Sequence, residues 1–198
     1  MRELIVARHA ESTFSERRVI SGDPDACGGL TEAGRTQARA LGARLRDERL
    51  DLAATTTFLR TRQTADLALA GRAVPRLVVP ELDDIRVGSY EGGPLDAYLT
   101  WAWGHGPRES APGGGESRAE AAARFARGYR ILLERPEERV LLVAHSLPLR
   151  YLLGAAAGAD PAARSELVDH ATVETLAAAG VEAAVARLER WSAAPAFA

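Results

Sequence analysis

Two short segments far apart in this 198-residue chain each place a histidine directly behind an apolar, β-prone run: Leu4-Ile5-Val6-Ala7-Arg8-His9 and Val140-Leu141-Leu142-Val143-Ala144-His145. Imidazole can serve near neutral pH as a nucleophile, a proton carrier or a metal ligand. The runs are apolar at consecutive positions, the pattern of parallel strands covered on both faces. Both histidines therefore fall at strand C-terminal ends, the edge of an open α/β sheet where ligands bind. One such histidine alone is accounted for as a hydrogen-bonded, partly buried side chain. Two in the same context point to a site.

Composition narrows the chemistry around them. Every basic residue other than histidine is arginine, and with no lysine in the chain a Schiff-base nucleophile is excluded. An anion site must then use arginine, histidine and backbone amides. The heavy use of alanine and arginine is itself what a GC-rich coding bias produces. A formal net charge of -2 and a pI near 6.1 give no basic surface for nucleic acid or an anionic membrane. Cys27 is the single cysteine, which excludes an intramolecular disulfide and a four-cysteine zinc site. With no signal-peptide pattern and no apolar run near the ~20 residues of a membrane span, the expectation is a cytoplasmic protein.

The elements that must position the histidines follow from periodicity. Glu11 to Gly29 is rich in turn formers and reads as a loop over the first strand end. Thr31 caps a helix running to about Glu48, Leu50 to Thr56 reads as a strand, and Phe58 to Ala70 as a helix stopped by Gly71. Leu77-Val78-Val79 forms a short third strand. From about 84 to 115 the pattern loosens into a glycine- and aromatic-rich lid carrying one helix, Leu95 to Trp103. Ser117-Arg118-Ala119-Glu120 has capping-box spacing and opens a long helix ending before Pro136. Pro148 sits at the start of the helix after the second histidine, and Gly158 ends it. A short helix is expected from Asp160-Pro161, and Val173 to Ala178 with Val181 to Arg190 read as a closing strand pair around Gly180. Alternating strands and helices predict one α/β domain over 1–198, a three-layer α/β/α sandwich with a mostly parallel central sheet.

The motifs, taken in order, resemble the histidine phosphatase superfamily, also called phosphoglycerate mutase-like. Its Arg-His-Gly-Glu signature stands here as Arg8-His9-Ala10-Glu11. Leu30-Thr31-Glu32-Ala33-Gly34 with Gln37-Ala38, and Leu59-Arg60-Thr61-Arg62-Gln63-Thr64-Ala65, follow. Gly88-Ser89-Tyr90-Glu91-Gly92, Gly114-Gly115-Glu116-Ser117 and Val143-Ala144-His145-Ser146 complete the set. The resemblance spans about residues 3 to 176.

It implies phosphoryl transfer without a cofactor or metal. His9 would attack phosphorus through one ring nitrogen while the other donates to a backbone carbonyl. Arg8 and Arg60 would hold the phosphate with planar donor forks; Arg62 competes, and the family spacing selects Arg60. His145, beside a phosphate, would be driven towards its charged form, with amides at the helix start after Ser146 adding donors. Counting back four residues from Gly88 to the family's glutamate acid gives Asp84, one methylene shorter, with Glu81, Asp83 and Glu91 as competitors. Ala10 stands where the family has glycine, and Ser15 where it commonly has an asparagine touching phosphate. Glu116 and Ser117 read as a lid turn and helix cap. Trp101, Trp103, His105 and Arg108 lie in the variable lid, each read as packing or surface, and His170, at a place where members of the family often have a polar active-site residue, reads as part of a surface turn.

The expected activity is a metal-independent phosphomonoesterase working through phosphohistidine on a small phosphorylated metabolite. The alternatives are a phosphoglycerate mutase-type transferase, a non-catalytic phospho-ligand-binding relative, and a zinc hydrolase, against which the arginines beside both histidines argue. The substrate's identity and the oligomeric state stay open, with a homodimer as one candidate.

Overall fold

Five strands form one sheet in the order β3-β2-β4-β1-β5, where β1 is Glu3–Arg8, β2 Leu52–Thr55, β3 Arg76–Val78, β4 Arg139–Ala144 and β5 Val173–Ala177. All pairs are parallel except β5, which runs antiparallel to β1. The computed structural model describes residues 1–26, 28–164 and 166–197, so Cys27 lies outside the described residues. Among the described residues seven α-helices accompany the sheet: α1 Thr13–Glu16, α2 Glu32–Arg44, α3 Leu59–Ala68, α4 Leu95–Gly104, α5 Arg118–Leu133, α6 Ser146–Ala156 and α7 Ala178–Ala193.

Alternation along the central strands divides the core into two layers. Leu4, Val6, Val140, Leu142 and Ala144 pack with Phe125, Leu152 and Leu188 of α5, α6 and α7. Ile5, Ala7, Leu141 and Val143, on the opposite face, pack with Leu41 of α2 and Ala65 of α3. The consecutive apolar runs are thus explained, because both faces are covered. Parallel register places Arg8 beside Ala144, and the ladder continues one step as the His9 amide donates to the Ala144 carbonyl at 2.9 Å. The two histidines are neighbours for that reason.

Three expectations are corrected. Residues 181–190 are not a strand: Val181, Ala184, Val185, Leu188 and Trp191 recur at three- and four-residue steps, and all are buried on one face of α7. Alanine-rich sequence favours the helix, and β5 pairs with β1 instead of with its own continuation. No helix begins at Asp160-Pro161, since the described residues 159–164 are irregular apart from a bend at 163–164. The loop after His9 contains the four-residue α1, closed by a capping box between Ser12 and Ser15. The lid helix and the Ser117–Glu120 capping box fall where expected. Gly88, at φ +57°, lets the lid close onto residues 112–115; a Cβ there would meet the Pro112 carbonyl at 2.1 Å.

Candidate active site

His9 ends β1 with its side chain almost fully buried. Its Nδ1 donates to the Ala10 carbonyl at 2.8 Å, which fixes the tautomer and leaves the lone pair on Nε2. Burial, then the charges of Arg60 and Arg8, hold its pKa well below the ordinary imidazole value. The ring is neutral, the form that can attack an electrophile. Ala10 has an ordinary negative φ and is itself buried, so its methyl is accommodated without backbone strain. Its amide donates to Thr64 Oγ1 at 3.0 Å.

His145, 0% exposed, caps the end of β4, its ring centroid 5.4 Å from that of His9. Arg60 Nη2 approaches its Nδ1 at 3.1 Å, and because a guanidinium only donates, Nδ1 accepts. The proton then sits on Nε2 and is given to Thr56 Oγ1 at 2.9 Å. Burial, followed by Arg60, keeps the pKa well below normal. This geometry holds His145 neutral, and the charged form expected from the sequence requires the field of a bound dianion.

Arg60 lies in the first turn of α3, buried, with its guanidinium 4.1 Å above the Phe58 ring. It donates to the Ser21 carbonyl at 3.2 Å. Arg8 is held by the Val168 carbonyl at 2.6 Å, and burial pulls its pKa down to about 10. Arg62 is exposed on the other side of α3 and does not line the cleft, whereas Arg60 does.

Asp84 is the carboxylate that lines this cleft. Its Oδ2 is 3.5 Å from Arg60 Nη2 and 3.7 Å from His145 Nδ1, while Oδ1 accepts from the Ile85 amide. Burial raises its pKa against the opposing pull of Arg60, prolonging the protonated form. The competitors are occupied elsewhere: Asp83 accepts from the amide and hydroxyl of Thr57 at 2.8 and 2.6 Å, and Glu91 accepts from the Gly22 amide. Glu81 stands outside the cleft, its carbonyl held by Arg124.

Ser15 reaches the cleft wall, but its hydroxyl donates to the Ser12 carbonyl at 2.9 Å and accepts from the Ser12 amide. Ser146 also lines the cleft as the first residue of α6, its hydroxyl accepting from the Val168 amide. Arg8, His9, Ser15, Arg60, Asp84 and Ser146 therefore line one cleft with a cavity volume of about 130 Å³, and His145 lies buried against its His9 and Arg60.

Arg124 escaped the sequence reading, and His170 and Glu116 are more closely tied to the site than it preferred. His170 is not a free surface turn: its Nδ1 bonds the His9 carbonyl at 2.8 Å, and its ring centroid is 5.3 Å from that of His9. The antiparallel β5 brings it there. Glu116, 3% exposed, clasps Arg124 through two bonds of 2.8 and 2.7 Å. Arg124 in turn donates to the carbonyls of Glu81, Asp83 and Asp84. The clasp fixes the backbone that carries Asp84. Among the described residues no group of three or more His, Cys, Asp or Glu side chains is placed to hold a metal ion, and no helix is long and apolar enough to cross a membrane.

Known proteins share this fold. A solved structure of a putative alpha-ribazole-5'-P phosphatase from Escherichia coli superposes with a TM-score of 0.77 at 26% identity, covering 89% of this chain and 90% of that one. A mycobacterial glucosyl-3-phosphoglycerate phosphatase, solved with VO3, gives a TM-score of 0.73 at 26% identity over 89% of this chain and 92% of its own. In sequence, a probable phosphoglycerate mutase GpmB of Photorhabdus laumondii is 30% identical over 165 residues, 80% of this chain and 76% of the relative. These relatives are phosphatases or mutases, which supports phosphoryl transfer as the reaction class. The model of the histidine phosphatase superfamily (branch 1) matches residues 4–191, and the chain belongs to that family.

Proposed function

We propose that the protein is a metal-independent phosphomonoesterase acting on a small phosphorylated metabolite. One observation carries the reading: a neutral His9, its Nδ1 proton committed to Ala10, opens Nε2 to a cleft walled by Arg8 and Arg60 with Asp84 opposite. In the first step Nε2 forms a bond to phosphorus as the phosphorus–oxygen ester bond breaks, and Asp84 gives its proton to the leaving oxygen. The two guanidinium groups, and His145 once protonated by the dianion's field, stabilise the equatorial oxygens. In the second step water attacks phosphorus, Asp84 takes its proton, and the phosphorus–nitrogen bond breaks to free phosphate and His9.

The mutase reading is supported by the curated relatives, in which the acceptor in the second step would be a substrate hydroxyl instead of water. Phosphate release over a panel of phosphorylated metabolites, with His9→Ala as the blank, separates the two. Release dependent on His9 supports the phosphatase; isomerisation of a phosphorylated hydroxy acid without release supports the mutase. Sustained loss of activity in EDTA, restored by a divalent cation, would sink both.

A further inference from the structure

Beyond the phosphate end, the cleft holds two more arginines, Arg118 and Arg150. Arg118 is 7% exposed yet forms no ion pair among the described residues. Its Nη1 donates to the neutral hydroxyl of Tyr151 at 3.1 Å, and its Nε has no hydrogen-bond partner. The buried Tyr98 hydroxyl beside the same cleft is also left without a bond of acceptable geometry. Arg118 is the first residue of α5, where the helix dipole disfavours a cation. A buried guanidinium without a carboxylate costs several kcal/mol in general, and the neutral hydroxyls of Tyr151 and Tyr98 offset it without supplying a counter-charge.

Arg150 extends the pattern. It stands one helical turn beyond Ser146 on the same face of α6, about 6 Å further along that helix, and makes no hydrogen bond or ion pair among the described residues. Among the described residues, four guanidinium groups thus line a cleft with a single carboxylate. A phosphate monoester carries about two negative charges near neutral pH, so with Asp84 it leaves the cleft cationic. Much of the rest of the lining is apolar, including Phe14, Leu99, Trp103, Leu147 and Leu167.

Resting on the phosphomonoesterase reading for the phosphate end, we propose that Arg118 and Arg150 form a second oxyanion subsite. The preferred substrate is then a phosphomonoester whose ring or apolar body carries a further carboxylate or phosphate at its far end. The apolar wall takes the body, and the arginine forks take the distal oxygens.

Calorimetry on the wild-type protein tests this, with alkylphosphonates, their ω-carboxylated counterparts and α,ω-bisphosphonates of matched length. At least one doubly anionic series should bind about tenfold tighter or more than the singly anionic one, as charge-assisted hydrogen bonds of this kind give. The carboxylated and bisphosphonate arms tell which oxyanion is taken. Arg118→Met and, at the less buried position, Arg150→Gln should each shrink that ratio. Equal affinity across all lengths in the wild type overturns the proposal, as does a ratio unchanged in both variants. Binding is read without turnover, so a protein that prefers doubly anionic ligands yet releases no phosphate overturns the phosphatase reading alone.

Discussion

Replacing Arg124 by methionine keeps the aliphatic stem but removes five hydrogen bonds: two to the Glu116 carboxylate and one each to the carbonyls of Glu81, Asp83 and Asp84. Breaking a buried ion pair from one side typically costs about 3–5 kcal/mol. Here Arg86, 3.3 Å from Glu116 and itself 60% exposed, still partners the stranded carboxylate, so about 2–4 kcal/mol is expected. For a chain of this size that lowers the melting temperature by about 5–15 °C. The catalytic effect should be selective. Asp84 keeps its side chain, but the backbone that aims it loses its clamp, and misplacement of order 1 Å costs about 100-fold in a proton transfer. An alkyl phosphate, whose leaving oxygen needs the proton, should lose about 10- to 100-fold in kcat, whereas p-nitrophenyl phosphate, whose leaving group needs little help, should lose under about threefold. Steady-state phosphate release on both substrates, below the variant's melting range, reads the difference. An equal fall on both, or no fall with the alkyl ester, would refute Arg124 as the residue positioning the acid.

Two further outcomes follow from the electrostatics. Because His9 titrates below its usual 6.5 and Asp84 above its usual 3.8, kcat/KM for an alkyl phosphate should hold up on the acid side of neutrality and fall as Asp84 ionises. Asp84→Asn should erase that alkaline limb and lower kcat by about 100-fold or more, with a smaller loss on p-nitrophenyl phosphate; an unchanged limb would remove Asp84 from the role. His9, His145 and His170 all have depressed values, so each contributes stability that is full above about 6.5 and is lost as pH falls through the folded value. Thermal melts from pH 7 to 5 should therefore show declining stability, and His170→Asn should flatten the slope; a slope that stays the same would contradict the burial of that imidazole.

Much of the site was legible because its residues sit in local motifs tied to strand ends. His9 and His145 needed only the apolar runs before them, and Arg60 and Asp84 needed the family spacing. What could not be read was proximity created by packing. His170 reaches His9 through the antiparallel pairing of β5, which no local pattern announces. Arg124 looks like any solvated helical arginine until Glu116 is folded against it. The α7 segment misled because alanine interspersed with valine satisfies both alternation and helical spacing over a few residues; only the recurrence out to Leu188 and Trp191 separates them. Arg118 was visible merely as the residue after a helix cap, and its burial without a carboxylate is a tertiary fact.

The most direct test of His9 as the phosphoryl carrier is a rapid acid-free quench of the protein turning over a phosphate ester, followed by mass spectrometry of the peptide containing residues 8–17. The expected result is a phosphoryl adduct on His9, stable in alkali, lost in acid and absent from His9→Ala. Turnover at full rate with no such adduct, or with the adduct on His145 or His170 instead, would contradict it.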